Sequence, residues 1–245
     1  MSEDTIFVST WDSSHFGVKI AKAYPSLINH VLEIDEFARK HEVALAITRC
    51  NASSIPLVHA LMKKSHLLMD TLVRYNYDFT KKGAIKTKID QNIRPAIPSD
   101  VSKVKELTRL SFETYNGHFH SDPRLPNELC TAIYANWAVN SVLDDSLADG
   151  VYVYDEGKGP EGFITVKKLN EHTSDGVLAC VSPESQGKGI YRKLIEYAMH
   201  WSVEQDIKVM ELGPLLDNYA VQRVWQRLGF EIYSATYTFH KWIKT

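Results

Sequence analysis

The residues best suited to chemistry fall in four places. The first is Gln186-Gly187-Lys188-Gly189, running on into Ile190, Tyr191 and Arg192. It follows a short apolar run, Val177–Val181, and a Ser182-Pro183 break, and it leads into Ile190, Leu194, Ala198 and Trp201 at helical spacing. A helix N-terminus leaves amide N–H groups unpaired and carries about half a positive charge. A glycine turn entering one is therefore a site for an anion, most simply a phosphate. The second place is Cys180, just before that turn. A thiol can form an acyl-enzyme, but no histidine stands at a partner's spacing, which favours a buried structural cysteine. The third is a loop rich in polar and ring side chains, Tyr115 to Arg124, with His118, Phe119, His120 and Asp122. Histidines there can take a proton directly or through water, and their spacing is not that of a metal site. The fourth is the segment Trp11-Asp12-Ser13-Ser14-His15-Phe16-Gly17, read as a loop. Its Trp11, Asp12 and Phe16 can stack on and hydrogen-bond a base or sugar, although a core tryptophan and a plain turn would look the same. His240, among aromatic residues of a late strand, reads as structural.

Two units must position these groups. Residues 1–85 read as βαβαβ. A long alternating strand, Leu67–Phe79, ends it, after short strands at Ile6–Val8, Val18–Ala23 and Val43–Thr48 and two helices. Thr80–Gln91 is polar and basic and marks the boundary. The second unit, 92–245, starts with a strand at Ile93 and a helix carrying Val104, Leu107 and Phe112. A helix over Asn127–Val142 follows, then antiparallel strands at Val151–Tyr154, Gly162–Leu169 and Gly176–Val181. After the glycine-loop helix come a strand at Lys208–Leu212 and a helix over Asn218–Leu228 that Gly229 ends. Two closing strands, Phe230–Ser234 and Thr236–Ile243, complete the chain. The class is α+β, with a central, mostly antiparallel mixed sheet flanked by helices.

Composition narrows the function. In 245 residues, 44% are hydrophobic and 24% charged, the balance of a soluble globular protein. A net charge of −2 gives no general attraction to nucleic acid or to an anionic membrane surface. The three cysteines are far apart and form neither a disulfide framework nor a metal-ligand pattern. No apolar run approaches the ~20 residues that span a bilayer, and the N-terminus does not read as a signal peptide. The expectation is a soluble, cytoplasmic protein.

Residues 92–243 resemble the GNAT superfamily of acyl-CoA-dependent N-acyltransferases. The resemblance rests on Arg94-Pro95-Ala96 with Asp100, on Gln186-x-x-Gly189, on Asn218, and on Leu228-Gly229-Phe230. It implies the GNAT fold, with residues 1–85 as a smaller, partial GNAT-like N-terminal domain. It implies an acyl-CoA co-substrate, acetyl or short hydroxyacyl, whose pyrophosphate lies on Gln186, Gly187, Lys188, Gly189, Ile190, Tyr191 and Arg192. It also implies that the Val181 N–H meets the acyl carbonyl and that Asn218 lies near the acyl-CoA arm or the leaving sulfur. Two positions depart from the family. Tyr191 replaces a small residue, so its ring must point away from the phosphates. Trp225 stands where the family often has a tyrosine as general acid, and an indole N–H has no useful acidity. Tyr219 is then the nearest phenol.

A narrower resemblance is carried by Trp11-Asp12-Ser13-x-x-Phe16-Gly17, by Phe119-His120-x-Asp122-Pro123-Arg124 and by the extra N-terminal unit. It is to bacterial nucleotide-sugar N-acyltransferases of the dTDP-fucosamine acetyltransferase type, which acylate a dTDP-linked aminodideoxyhexose for surface polysaccharide such as O-antigen. It implies that Trp11, Asp12, Phe16, Phe119, His120, Asp122 and Arg124 bind the sugar nucleotide, and that His118 or His120 takes the amine's proton. It further implies a homodimer; the glycine loop without a Cys–His pair points to direct attack without an acyl-enzyme. Two alternatives stay open: an acceptor that is a protein or small-metabolite amine, and a non-catalytic acyl-CoA-binding module, which Trp225 would suit.

Overall fold

The computed structural model describes residues 6–243. The first half contains β1 (Ile6–Val8), α1 (Thr10–Phe16), β2 (Ile20–Ala23), α2 (His30–Lys40), β3 (Leu45–Asn51), α3 (Ile55–Lys63), β4 (Leu67–Asp78) and a single turn, α4 (Phe79–Lys82). The second contains β5 (Ile93–Pro95), α5 (Val101–Phe112), α6 (Asn127–Leu143), β6 (Gly150–Tyr154), β7 (Gly162–Asn170), β8 (Thr173–Val181), α7 (Ile190–Glu204), β9 (Val209–Leu212), α8 (Tyr219–Arg227) and β10 (Glu231–Trp242).

All ten strands join one sheet in the order β1-β2-β3-β10-β4-β9-β8-β7-β6-β5. Among the described residues only β2–β3 and β8–β9 pair in parallel. The sheet is thus mixed and mostly antiparallel, and the class is α+β as expected. The boundary read at Thr80–Gln91 falls within a continuous sheet, because β4 of the first half lies between β9 and β10 of the second. A single long strand, β10, replaces the two closing strands expected. A bulge between Ile232 and Ser234 absorbs the irregularity while the ladder to β4 runs on.

Helices cover both faces. The stripe of Ile190, Leu194, Ala198 and Trp201 on α7 packs with Trp225 of α8 against Tyr75, Tyr77, Ile164 and Met210. Beside it, Val31 and Ile34 of α2 and Leu57 and Leu61 of α3 meet Ala46 and Phe239. On the other face Val104 and Leu107 of α5 and Ala138 of α6 cover Val153, Phe163 and Leu178. Phe16 of α1 packs there with Leu45, Ile47, Phe119 and Ile133. Each fully buried aliphatic side chain contributes roughly 1.5–3 kcal/mol.

The segment read as a loop around Trp11 is instead the helix α1. Ser9 caps it, its Oγ accepting the Asp12 N–H at 3.5 Å, and Gly17 closes it at φ 69°. Asp12, Ser13 and Ser14 are turn formers by type. The cap and the burial of Phe16 against Phe119, ring centroids 4.9 Å apart, override that preference.

Candidate active site

The sheet opens at one place. Strands β8 and β9 pair only at Thr173–Asp175 with Val209–Glu211, whereas β8 stays paired to β7 as far as Val181. Beyond Asp175 the parallel neighbours splay and leave a gap. The N–H groups of Leu178 and Ser182 point to the β7 side, donating to Thr165 Oγ1 at 3.0 Å and to the Glu161 carbonyl at 2.8 Å. By strand alternation the N–H groups of Ala179 and Val181 face the gap. They are a pair of fixed donors for an oxygen placed there.

The glycine loop lies at the end of β8. After the turn Pro183–Ser185, Gly187 and Gly189 take φ values of 79° and 81°, which an L side chain adopts only with strain. A Cβ at either glycine would meet nothing within 4 Å, so backbone conformation rather than crowding calls for glycine. The first helical bond is Lys193 N–H to the Gly189 carbonyl at 3.1 Å. Among the described residues the amides from Gly187 to Arg192 donate to no backbone carbonyl. Side-chain cations nearby are already engaged. Lys188 Nζ lies 3.3 Å from Ser185 Oγ and 3.9 Å from Glu161, and Arg192 Nε is 3.0 Å from Glu196. Gln186 reaches back, its Nε2 donating to the Val181 carbonyl at 3.5 Å. Attraction for an anion therefore comes chiefly from the amides and the helix dipole.

Trp225 is 4% exposed and meets the Tyr75 ring edge-on, centroids 5.5 Å apart. Its buried indole N–H completes no hydrogen bond. It lies near the Tyr191 hydroxyl, whose pKa is pushed up by burial and held back by Trp225; Cys180 and Tyr115 are close by. The Tyr191 ring thus turns inward, away from the anion cradle, as its position requires. Asn218 caps α8, its Oδ1 accepting the Val221 N–H at 3.3 Å, and Tyr219 beside it is 63% exposed. Tyr191, like Tyr75, packs with Trp225 against the buried core, and Tyr219 does not. Burial pushes the Cys180 thiol up to about 12, so it stays protonated at neutral pH.

The loop between α5 and α6 holds a buried relay. Asp122 Oδ2 accepts His240 Nδ1–H and Trp242 Nε1–H, both at 2.8 Å, and its Oδ1 accepts the Arg124 N–H at 3.0 Å. Burial works against the Asp122 charge, but these bonds outweigh it and hold the carboxyl below its ordinary value. His240 Nε2 lies 2.9 Å from His118 Nδ1. Where His240 gives its Nδ1–H to Asp122 and accepts at Nε2, the bond runs from His118 Nδ1–H, and the lone pair of His118 is on Nε2. Burial, with Arg49 and His240 adding to it, places the His118 pKa well below 6.5. His120 is half-buried, 3.2 Å from Thr131 Oγ1 and stacked on Tyr134 at 6.0 Å. Phe119 packs on Phe16, and the Arg124 guanidinium lies 5.5 Å above the Trp242 ring.

The structure therefore brings His118, Phe119, Asp122 and Phe16 together with His240 and Trp242. It keeps Trp11 apart, 45% exposed at the other end of α1, and it ties buried Asp12 to Lys22 at 2.6 Å. His240 and Trp242 enter the relay from the C-terminal strand, more than a hundred residues from the loop, a distance that no spacing pattern signals. No group of three or more metal-ligating side chains occurs among the described residues. No helix there is long and apolar enough to cross a membrane.

Comparison with known proteins follows the same lines. The model of the acetyltransferase (GNAT) family matches residues 105–230. The spore coat polysaccharide biosynthesis protein SpsD of Bacillus subtilis (strain 168) is 25% identical over 148 residues, 60% of this chain and 50% of that protein. The match thus spans half the length of that relative. Among solved structures, a functionally unknown conserved protein from Staphylococcus epidermidis superposes with a TM-score of 0.65 at 14% identity, covering 100% of this chain and 92% of its own. A GCN5-related N-acetyltransferase from Sphaerobacter thermophilus gives 0.62 at 12% identity, over 98% and 76%. A tandem GNAT protein from the clavulanic acid biosynthesis pathway gives 0.60 at 13%, over 94% and 77%. At these identities the likeness to solved structures is one of fold.

Proposed function

This chain belongs to the acetyltransferase (GNAT) family, and from that premise we propose that it transfers an acyl group from acyl-CoA to the amino group of a dTDP-linked aminodideoxy sugar used for surface polysaccharide. The observation that carries acyl transfer is the splay of β8 from β9 beside the glycine loop. The pyrophosphate takes the amides of Gly187–Arg192, and the acyl carbonyl takes the Val181 and Ala179 N–H groups. The sugar acceptor is supported by the match to SpsD, a spore coat polysaccharide biosynthesis protein, and by the ring-rich loop with its His118 relay.

The neutral amine attacks the thioester carbon. The C–N bond forms, the oxyanion is held by the two amides, and the C–S bond breaks. His118 Nε2 takes the nitrogen's proton, and Asp122, through His240, steadies the charge that results. The Tyr191 hydroxyl, with Trp225 beside it, gives the proton to the departing thiolate. That step answers the absence of a tyrosine at position 225. Cys180, buried and protonated, has no part in it.

The test is a thiol-release screen with acetyl-CoA against dTDP-linked 4-amino-4,6-dideoxyhexoses, simple amines and peptides, with intact-mass analysis of the protein. Turnover of the sugar nucleotide and no adduct on the protein is the expected result. Turnover of peptides or simple amines alone would move the acceptor to another class. CoA binding without turnover of any of them would leave a binding module.

A further inference from the structure

Across the gap from the glycine loop, the side chains of Arg49, Thr238 and Asp70 form a row on β3, β10 and β4. Thr238 is paired in register with both Arg49 and Asp70, so all three side chains leave the same face of the sheet, the one covered by α5 and α6. Thr238 is 0% exposed and Asp70 9%. Each has a buried polar atom with no partner at good hydrogen-bond geometry: Arg49 Nε, Thr238 Oγ1 and Asp70 Oδ1, although the Thr238 hydroxyl lies near enough to the Asp70 carboxylate to favour its charged form. The adjoining His120 Nδ1 is in the same state. Native proteins rarely leave buried polar groups unpaired, and such groups concentrated in one spot call for a partner. Asp70 Oδ2 is occupied, accepting the His118 N–H at 2.9 Å. Burial raises the Asp70 pKa, against the opposing pull of Thr238, Arg49 and the His118 amide. Arg49 and His120 are half-buried, which opens the row to solvent at its edges.

The register places this row opposite the reacting carbonyl. Leu72 of β4 bridges Leu215, so Asp70 is level with Asp217. Continuing the parallel register of Thr173–Asp175 with Val209–Glu211 puts Val181 level with Leu216 and Asp217 on the far side of the gap. Tyr115 is near this line: Asp70, Arg49 and Asp217 each act on its hydroxyl, and it acts in turn on that of Tyr191.

We propose that the Arg49–Thr238–Asp70 row is the seat of the acceptor's amino group, with Asp70 Oδ1 pairing with the incoming ammonium, which gives one proton to solvent before it attacks as the neutral amine, and Thr238 and Arg49 bonding the oxygen functions next to it. The acceptor class is a primary amine with neighbouring hydroxyl or anionic oxygens, entering from the α5–α6 face. This rests on the acyl-transfer reading above. It adds that the first half of the chain, through β3 and β4, supplies the acceptor's charge partner.

The experiment compares wild type with Asp70→Asn and Thr238→Val. In the unliganded protein at neutral pH, Asp70→Asn keeps an acceptor for the His118 N–H and removes an unmatched charge, so the expected Tm is equal or higher. A clear fall in Tm would assign Asp70 a structural role and overturn the proposal. With acetyl-CoA and a dTDP-linked 4-amino-4,6-dideoxyhexose as probe, Asp70→Asn should lower acceptor kcat/KM about 100-fold, mainly through KM. The Kd for acetyl-CoA should not change. Thr238→Val should raise acceptor KM about tenfold. An acceptor KM within twofold of wild type in both variants would also overturn it. If wild type turns over no amine at all, the acyl-transfer reading fails, and the Tm comparison alone decides whether Asp70 is a binding or a structural carboxylate.

Discussion

At the start of α7, the groups that face the gap are backbone amides, set by two glycines within three residues of each other. On the other side, the groups around His118 are side chains drawn from β3, β4, the α5–α6 loop and β10. The first region needs only a local conformation and tolerates almost any side chain that points away, Tyr191 included. The second exists only when strands far apart in sequence lie side by side. One cradle is made of main chain and gives affinity for a phosphate of any donor. The other is made of side chains and selects the acceptor.

Breaking the relay should have the largest effect. His118→Ala or Asp122→Asn should lower acceptor kcat/KM by about 10²–10⁴-fold while acetyl-CoA affinity by calorimetry stays within about twofold. Equal loss of both would mean that the two regions act as one unit. Tyr191→Phe is the crossing point, because its backbone belongs to the donor cradle and its hydroxyl to the chemistry. It should slow kcat about 10²-fold with unchanged acetyl-CoA Kd. A weakened Kd alone would return Tyr191 to the cradle.

The donor side could be read from the sequence because its signal is local: a glycine turn, a Ser-Pro break and a stripe at Ile190, Leu194, Ala198 and Trp201. The sheet order was less legible. Nothing in Leu67–Asp78 announces that it will lie between β9 and β10. On the acceptor side, His118 and Asp122 were visible as a loop pattern, but His240 looked structural because its partners lie 118 and 122 residues away. Asp70 gave no signal, since an acidic residue in an alternating strand reads as solvent-facing. The helix α1 was missed because seven residues are too few for periodicity to outweigh Asp12, Ser13 and Ser14.

The two smaller predictions separate the regions by stability and by backbone strain. Burial holds His118 well below its ordinary value of 6.5. The folded state therefore keeps the ring neutral, and this contribution to stability is complete above pH 6.5. It is lost as the pH falls from 6.5 towards the depressed value, by about 1.4 kcal/mol for each unit of depression. Denaturant unfolding followed from pH 7 to pH 5 should show this loss, and His118→Gln should reduce the slope. Gly189→Ala, at φ 81°, should act through strain alone. A cost of about 1–2 kcal/mol corresponds to roughly 5–30-fold weaker acetyl-CoA binding, with acceptor KM unchanged.

The position of β10 has a consequence for how the molecule is made. Glu231–Trp242 pairs with β3 on one edge and β4 on the other, and both of those strands leave the ribosome long before it does. Until Glu231–Trp242 has been synthesised, β3 and β4 each present an open edge to any other chain nearby, a template for misassembly. The central ladder therefore closes late, through contacts of very high sequence separation, and folding should be slow for a chain of this size. Loss of Glu231–Trp242 would not trim an edge of the sheet. It would unzip the sheet at its middle.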